Sequence, residues 1–389
     1  MKTLSNPGWA LVALALNAEP CNAQSQLAVK AVNHLQFARP SQTIEIPAGD
    51  LAGVAGKDLA KIHVKDATGT DVLCQVVRTG GADSLAAMLI FQAGFGAGET
   101  KTFTLAAGNK QVPGRDQFKA YGRFVRERFD DFAWENDRIA HRMYGKALES
   151  WQAEPLTSST VDVWVKNVSR LVVNDWYMVD NYHSDTGEGA DFYSAGLSRG
   201  CGGNGLWADG KLWGSHNFVD SRVLACGPIR VMFDLVYDEF DVNGSKVSEI
   251  KRITLDAGQN LDHYQSCYKP RQPVTLTTAA GIKKADVIKK ETDPAHGWLA
   301  TWEPLKADKK NHSNLGCAII VDPKSLEQTT EDKLNHLVIA KVPADNRASY
   351  WAGFCWDRSG QFADYDAWKT YVDQFAQGLL SPIEVTVGK

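Results

Sequence analysis

The stretch YHSDTGEGADFYSAGLSRGCGGNG, from Tyr182 to Gly205, sets His183, Asp185, Glu188, Asp191, Tyr193 and Arg199 among seven glycines. An imidazole beside hard carboxylate oxygens offers two chemistries. His183, Asp185, Glu188 and Asp191 could hold a divalent metal ion, although their spacing matches no calcium loop. Alternatively His183, or a tyrosine such as Tyr182 or Tyr193, could move a proton as general base or acid. A surface loop whose acids cap its own backbone amides would use the same residue types. Glycine at this density implies unusual backbone angles or the close approach of a partner. The stretch is no phosphate cradle, because no Gly-Lys-Ser/Thr follows and no helix start is evident after GCGGNG.

A second cluster, RFVRERFDDFAWENDRIAHRMYG, runs from Arg123 to Gly145. Read as one strand, its second half sorts into two faces. Trp134, Asn136, Arg138, Ala140, Arg142 and Tyr144 share one; Ala133, Glu135, Asp137, Ile139, His141 and Met143 share the other. The first face would offer an amide, two guanidiniums, an indole and a phenol to an anionic, hydroxyl-rich ligand, since the arginine fork matches carboxylate or sulfate. A solvated sheet face laced with ion pairs is the alternative. His263 with Tyr264, near a strand end, could also reach a cleft, as could His216 beside Asn217. Neither a G-x-S-x-G nucleophile elbow nor an H-E-x-x-H zinc motif occurs.

The elements that must position these groups read as mainly β. From Val29 to Leu105, segments such as QTIEIPAG and ETKTFTLAAG alternate apolar and polar residues between turn signals, the pattern of a small β-sandwich. A polar stretch, Gly108–Gln117, reads as a linker. Beyond it come longer strands, among them IRVMFDLVYDEFDV and SEIKRITLDA, with the hairpin signal Asn243-Gly244 between them. Strands of roughly ten or more residues suit a large curved sandwich. One C-terminal helix is expected over Asp364–Leu380, where Tyr365, Trp368, Val372, Phe375 and Leu379 fall on one face. The expected division is 1–23 leader, 24–110 small sandwich and 115–389 catalytic domain.

Composition excludes several classes. A net charge of −4 over 389 residues gives no electrostatic reason to expect nucleic acid or an anionic membrane as partner. Lys2, the apolar run Trp9–Leu16 and the small residues of Cys21–Ala23 read as a secretory signal cleaved near Ala23. That run is too short to span a bilayer, and no later segment is long enough. The expected location is therefore periplasmic or secreted. Six cysteines remain after cleavage, with no C-x-x-C pair, and read as free thiols.

Taken together, DDFAWENDRIAHRMYG, YHSDTGEGADFY, GLSRGCGGNGLW and LACGPIRVMFDLVY resemble an exported bacterial family long catalogued as a domain of unknown function (4861). It includes an oligosaccharide dehydratase of ulvan breakdown. The resemblance covers roughly Val32 to Val387 and is densest from Arg123 to Tyr237. It implies a β-supersandwich like that of the galactose mutarotases, preceded by a small β domain. It also implies elimination of water across C4 and C5 of a non-reducing-end uronic acid on an anionic oligosaccharide. His141 departs from the family pattern, which has an apolar aromatic there, and the alternation puts it opposite Arg138 and Arg142.

Such an elimination needs a cation on the substrate carboxylate, for which Arg138, Arg142, Arg199 or a metal on Asp185, Glu188 and Asp191 are available. It needs a base for the C5 proton, first of all His183, since a neutral imidazole is available near neutral pH. It needs an acid for the departing C4 oxygen, Tyr193 or Tyr144, with His263 and Tyr264 in reserve. Asn136 and Trp134 would complete the sugar contacts. A polysaccharide lyase, a non-catalytic carbohydrate-binding protein and an epimerase are the competing expectations, and fold alone does not choose among them.

Overall fold

The computed structural model describes residues 26–55, 58–80, 87–152, 156, 159–179 and 181–388, so the expected leader lies outside the described residues. Strict alternation builds the first unit: in Gln26–Val32, Leu27, Val29 and Ala31 point inward. One sheet joins this strand to Thr100–Ala107, Ile62–Lys65 and Asp71–Val72; a second joins Arg39–Pro47, Ala87–Phe95 and Cys74–Arg78. They close over Val29, Ile44, Ile46, Leu89, Phe91 and Leu105. The edge strand of the first sheet comes from the far end of the chain. Glu384–Val387 pairs antiparallel with Gln26–Val32, Val387 facing Val29. A cut between residues 110 and 115 therefore separates that strand from the sheet it completes.

The large unit is a sandwich of long strands. One layer is an eight-stranded sheet running Asp220–Cys226, Arg230–Val242, Ser245–Asp256, Leu261–Pro270, Arg347–Trp356, Asn314–Val321, Trp298–Pro304 and Lys289–Asp293. Asn243 and Gly244, both at positive φ, turn the hairpin between its second and third strands, as their sequence predicts. The opposing layer holds two five-stranded sheets, one built around Asp131–Asn136, Ala140–Met143 and Val161–Lys166, the other around Cys201–Ala208, Thr277–Lys283 and Asn335–Lys341. Phe132, Trp134, Val163 and Ile282 from this layer meet Phe233, Ile253, Tyr264 and Phe354 from the other.

The expected C-terminal helix spans Tyr365–Leu380, with the Asp364 side chain accepting from the Ala367 amide at 2.9 Å. Its apolar face lies on the outer side of the eight-stranded sheet, where Trp368 packs among Trp298, Trp302, Ala318 and Ile320. Gly316 makes room for it: a Cβ there would stand 2.6 Å from the Trp368 ring. Trp368→Ala is expected to lower unfolding stability by about 3–5 kcal/mol in denaturant titration, the usual range for a buried tryptophan.

The motif Arg123–Gly145 is not one strand, which corrects the two-face reading. It folds as Asp131–Asn136, a turn, and Ala140–Met143, with His141 opposite Trp134 and Arg142 opposite Ala133. The cause is Asn136, whose Oδ1 accepts from the amides of Arg138 and Ile139 at 2.8 and 2.9 Å and reverses the chain. The reversal changes side-chain parity. Trp134 and His141 now share the core face, while Arg142 turns to the other side.

Candidate functional site

Arg142 is the centre of a buried charge cluster. Its Nε donates to Asp162 Oδ2 at 2.8 Å, Nη2 to Asp191 Oδ2 at 3.0 Å and Nη1 to the Tyr182 hydroxyl at 3.2 Å. Asp131 Oδ2 lies 3.7 Å from Nη1. Tyr144 donates to Asp162 Oδ2 at 3.2 Å, and Arg128 Nε donates to the Tyr182 hydroxyl at 2.6 Å. Adjacent strands bring these groups together: Arg142 and Asp162 are a cross-strand pair. Burial pushes Asp131 up to about 7, opposed by the charges of Arg142 and Arg128. Burial, reinforced by Asp162, also holds Asp191 well above the usual carboxylate range, while Arg142 pulls it down. Three acids sharing one guanidinium explain why desolvation wins.

Asp191 carries this cluster to the surface. His183 Nδ1 lies 3.2 Å from the Asp191 carbonyl and 3.5 Å from its carboxylate, and 62% of the His183 side chain is exposed. With Nδ1–H donating to that carbonyl, Nε2 keeps its lone pair in a largely exposed ring. The imidazole also packs on the Tyr182 ring, centroids 4.5 Å apart. The result is an exposed imidazole, oriented by Asp191, whose carboxylate is in turn held by a buried arginine.

The loop's own backbone explains its glycines and its other acids. Gly189 has φ +116°, and a Cβ there would sit 2.0 Å from the Val165 carbonyl; at Gly200, φ +63°, the clash would be with Val161 at 1.9 Å. These glycines let the loop pack against the strand Val161–Lys166. Asp185 Oδ1 accepts from the amides of Gly187 and Gly189 at 2.6 and 3.0 Å. Glu188 is ion-paired with Arg170, Nε to Oε1 at 3.0 Å. Asp191 faces Arg142. The expected metal set of Asp185, Glu188 and Asp191 is thus not brought together, because each acid already serves a separate partner. Among the described residues, the His and acid side chains that do converge are Asp293, His296 and Asp373, where His296 bridges the sheet edge to the C-terminal helix. Glu188→Gln is expected to lower unfolding stability by no more than about 1 kcal/mol in denaturant titration, since exposed ion pairs contribute about 0–1 kcal/mol.

The remaining expected residues scatter. Trp134 is fully buried, its indole N–H donating to Asp262 Oδ1 at 2.7 Å. Tyr264 is fully buried against Tyr350, with ring centroids 5.0 Å apart. Both are core residues, which removes them from contact with a ligand. Asn136 is occupied as the turn residue. Tyr144 is tied to Asp162, and burial holds its phenol well above its ordinary range. Arg199 is buried on the outer side of the second five-stranded sheet, its stem against Gly281 and its guanidinium against Gly214. Burial lowers it to about 10, and its Nε and Nη1 have no partner among the described residues. Arg138 and His263 line a different cavity, on the outer face of the eight-stranded sheet. His216 is exposed, 3.7 Å from Glu149.

Tyr193 lies beside another group. Its ring carries the Lys283 ammonium at 5.3 Å, and its hydroxyl is buried with no partner among the described residues. Glu303, pushed up to about 7 by burial against the pull of Lys283, interacts electrostatically with it. Reading the motifs missed Glu303, Asp131, Asp162 and Arg358. Arg358 is 38% exposed with Nη1 3.9 Å from both Asp185 Oδ2 and the buried Asp308 Oδ2, which puts a cation shared by two acids beside the His183 loop. The pair Asp130-Asp131, just after Arg123, Arg126 and Arg128, was the one available signal; Arg358 and Glu303 sit in segments with no local pattern.

A family model described as "Domain of unknown function (DUF4861)" matches residues 32–385. "Uncharacterized protein P7" of Formosa agariphila is 30% identical over 372 residues, covering 91% of this chain and 92% of that protein. Among solved structures, an α-mannosidase from Enterococcus faecalis superposes with a TM-score of 0.52 at 10% identity, over 94% of this chain and 46% of that one. A glycosyl hydrolase family 38 protein from the same species gives 0.50 at 9% identity, over 94% and 47%. The chain spans about half the length of these two, and at such identities the likeness is one of fold.

Proposed function

Because this chain belongs to the family described as a domain of unknown function (DUF4861), we propose from its site that it is an exported, carbohydrate-active dehydratase. It would eliminate water across C4 and C5 of a uronic acid at the non-reducing end of an ulvan-type oligosaccharide, leaving an unsaturated uronate. The observation that carries this reading is the exposed His183 imidazole, oriented by Asp191, which is itself held by Arg142. A fold shared with a mannosidase supports a saccharide ligand. Export rests on the leader; no helix among the described residues is long and apolar enough to cross a membrane.

In this reading His183 Nε2 takes the C5 proton. Arg358, exposed and only loosely held at 3.9 Å from Asp185 and Asp308, would turn to the uronate carboxylate and so acidify that proton. Arg142 is engaged with Asp162 and Asp191 and acts by positioning the base. The Tyr193 hydroxyl, expected as the acid, is buried in the core and does not reach a ligand, so in this reading the departing C4 oxygen takes its proton from water. The site's residues carry this assignment without a metal on the loop acids.

A polysaccharide lyase is the second reading, favoured by the open exposure of His183, which suits a chain passing over the base. Ultraviolet absorbance with mass spectrometry on defined saturated-uronate oligosaccharides separates the two. Absorbance with loss of one water from an intact chain is the expected result. Absorbance with a shorter chain would mean a lyase, and neither signal would leave the binding and epimerase alternatives.

A further inference from the structure

A second cavity lies apart from the Arg142 cluster, with none of that cluster's residues in its lining. It is a cleft of about 1120 Å³ between the small sandwich, the outer face of the eight-stranded sheet and the C-terminal helix. Its walls are fixed to one another. Gln259 Nε2 donates to the Ser41 carbonyl at 2.5 Å, and a Cβ on Gly258 would stand 2.6 Å from Ser41 Oγ. Arg230 bridges the two units, held by Asp256 at 2.6 Å and Glu45 at 2.6 Å. Arg39 donates to the carbonyls of Gly378 and Ser381 at the end of the helix.

Within this frame three features point to a ligand. Arg138 Nη1 donates to Asn260 Oδ1 at 3.0 Å, and among the described residues no carboxylate lies within ion-pair distance of it. The other guanidiniums on the same floor, Arg230 and Arg252, are neutralised by Asp256 and Asp234. His263 and Trp351, cross-strand neighbours, stack with centroids 4.3 Å apart and planes 7° from parallel, half-buried on the cleft floor. Between these sit side-chain amides and hydroxyls, among them Gln42, Thr254, Gln265 and Gln374, which both donate and accept. An unpaired guanidinium, an aromatic stack and a lining of amides suit a ligand that is anionic, flat-faced and rich in hydroxyls. The volume exceeds the roughly 300–1,000 Å³ of a usual small-molecule pocket and so admits several sugar rings.

We propose that this cleft is a second binding site for an acidic oligosaccharide, with Arg138 receiving a carboxylate or sulfate and the Trp351–His263 stack a sugar ring. The ligand class rests on the functional reading above; the separateness of the site rests on the geometry. The cleft holds the substrate's anionic chain to the protein, while chemistry occurs at His183.

Native mass spectrometry of the full chain, in a His183→Ala background in which turnover is slowed, tests this with defined saturated-uronate ulvan oligosaccharides as the probe. Two oligosaccharides per chain are expected, falling to one in Trp351→Ala. Arg138→Gln, a milder change, is expected to weaken the cleft's affinity about tenfold or more through loss of a charged hydrogen bond. One oligosaccharide per chain regardless of Trp351→Ala and Arg138→Gln would overturn the proposal, and so would none. Turnover of the same oligosaccharides by the unsubstituted protein is measured alongside. Turnover without cleft binding removes the second site alone; absence of turnover removes the dehydratase reading as well.

Discussion

His183→Ala is expected to lower kcat by between about 10² and 10⁴-fold, the range contributed by a positioned general base, while the unfolding transition stays in place. Stability should be spared because the imidazole is largely exposed and makes one hydrogen bond, to the Asp191 carbonyl. The loss should fall on kcat, since the base acts in the transition state and contributes little to ground-state binding. The flanking Asp191 gives an internal control. Asp191→Asn keeps the main-chain carbonyl that orients Nδ1 but removes the carboxylate 3.5 Å away that would stabilise an imidazolium. It should therefore give a smaller loss than His183→Ala, read in the same steady-state assay. Unchanged turnover in His183→Ala would remove this residue, and the proton-abstraction mechanism built on it.

The second large effect concerns Arg142. Arg142→Met should destabilise the fold by about 3–5 kcal/mol, because it strips the counter-charge from carboxylates that are already out of water. Asp131, Asp162 and Asp191 are each at most 4% exposed. The variant should recover stability as pH falls, since protonation relieves the unpaired charges. The parent protein carries a milder form of the same dependence. Asp131 in the folded chain titrates near 7, above its ordinary unfolded value of about 4, so the folded state holds its proton more tightly. Stability from this group is therefore full below about pH 4 and falls as pH rises towards 7. Asp131→Asn removes the titrating group and should flatten that part of the profile, measured by denaturant unfolding at a series of pH values.

Much of the architecture was legible along the chain because it depends on local pattern. The alternation in Gln26–Val32, the Asn243-Gly244 hairpin and the Asp364-capped helix with its buried Trp368 are each set by residues close in sequence. His183, Asp191 and Arg142 also stood out, by type and by crowding. Their linkage did not, because it depends on Ala140–Met143 pairing with Val161–Lys166 and on the loop folding back over both.

What the sequence by itself determined is the class: mainly β, two sandwich units, a C-terminal helix, and a loop dense in ionisable groups and glycine. What the tertiary structure decided is which of those groups can meet. One asparagine turn at Asn136 reversed the strand, put His141 on the core face with Trp134 and separated Arg138 from Arg142. The glycines of the loop proved to accommodate the chain's own carbonyls at Val161 and Val165. Strand alternation is a local rule with a period of two, so a single turn inverts everything beyond it. The burial that raises Asp131 and Asp191 comes from strands and loops apart in sequence closing over them, and only the assembled fold supplies it.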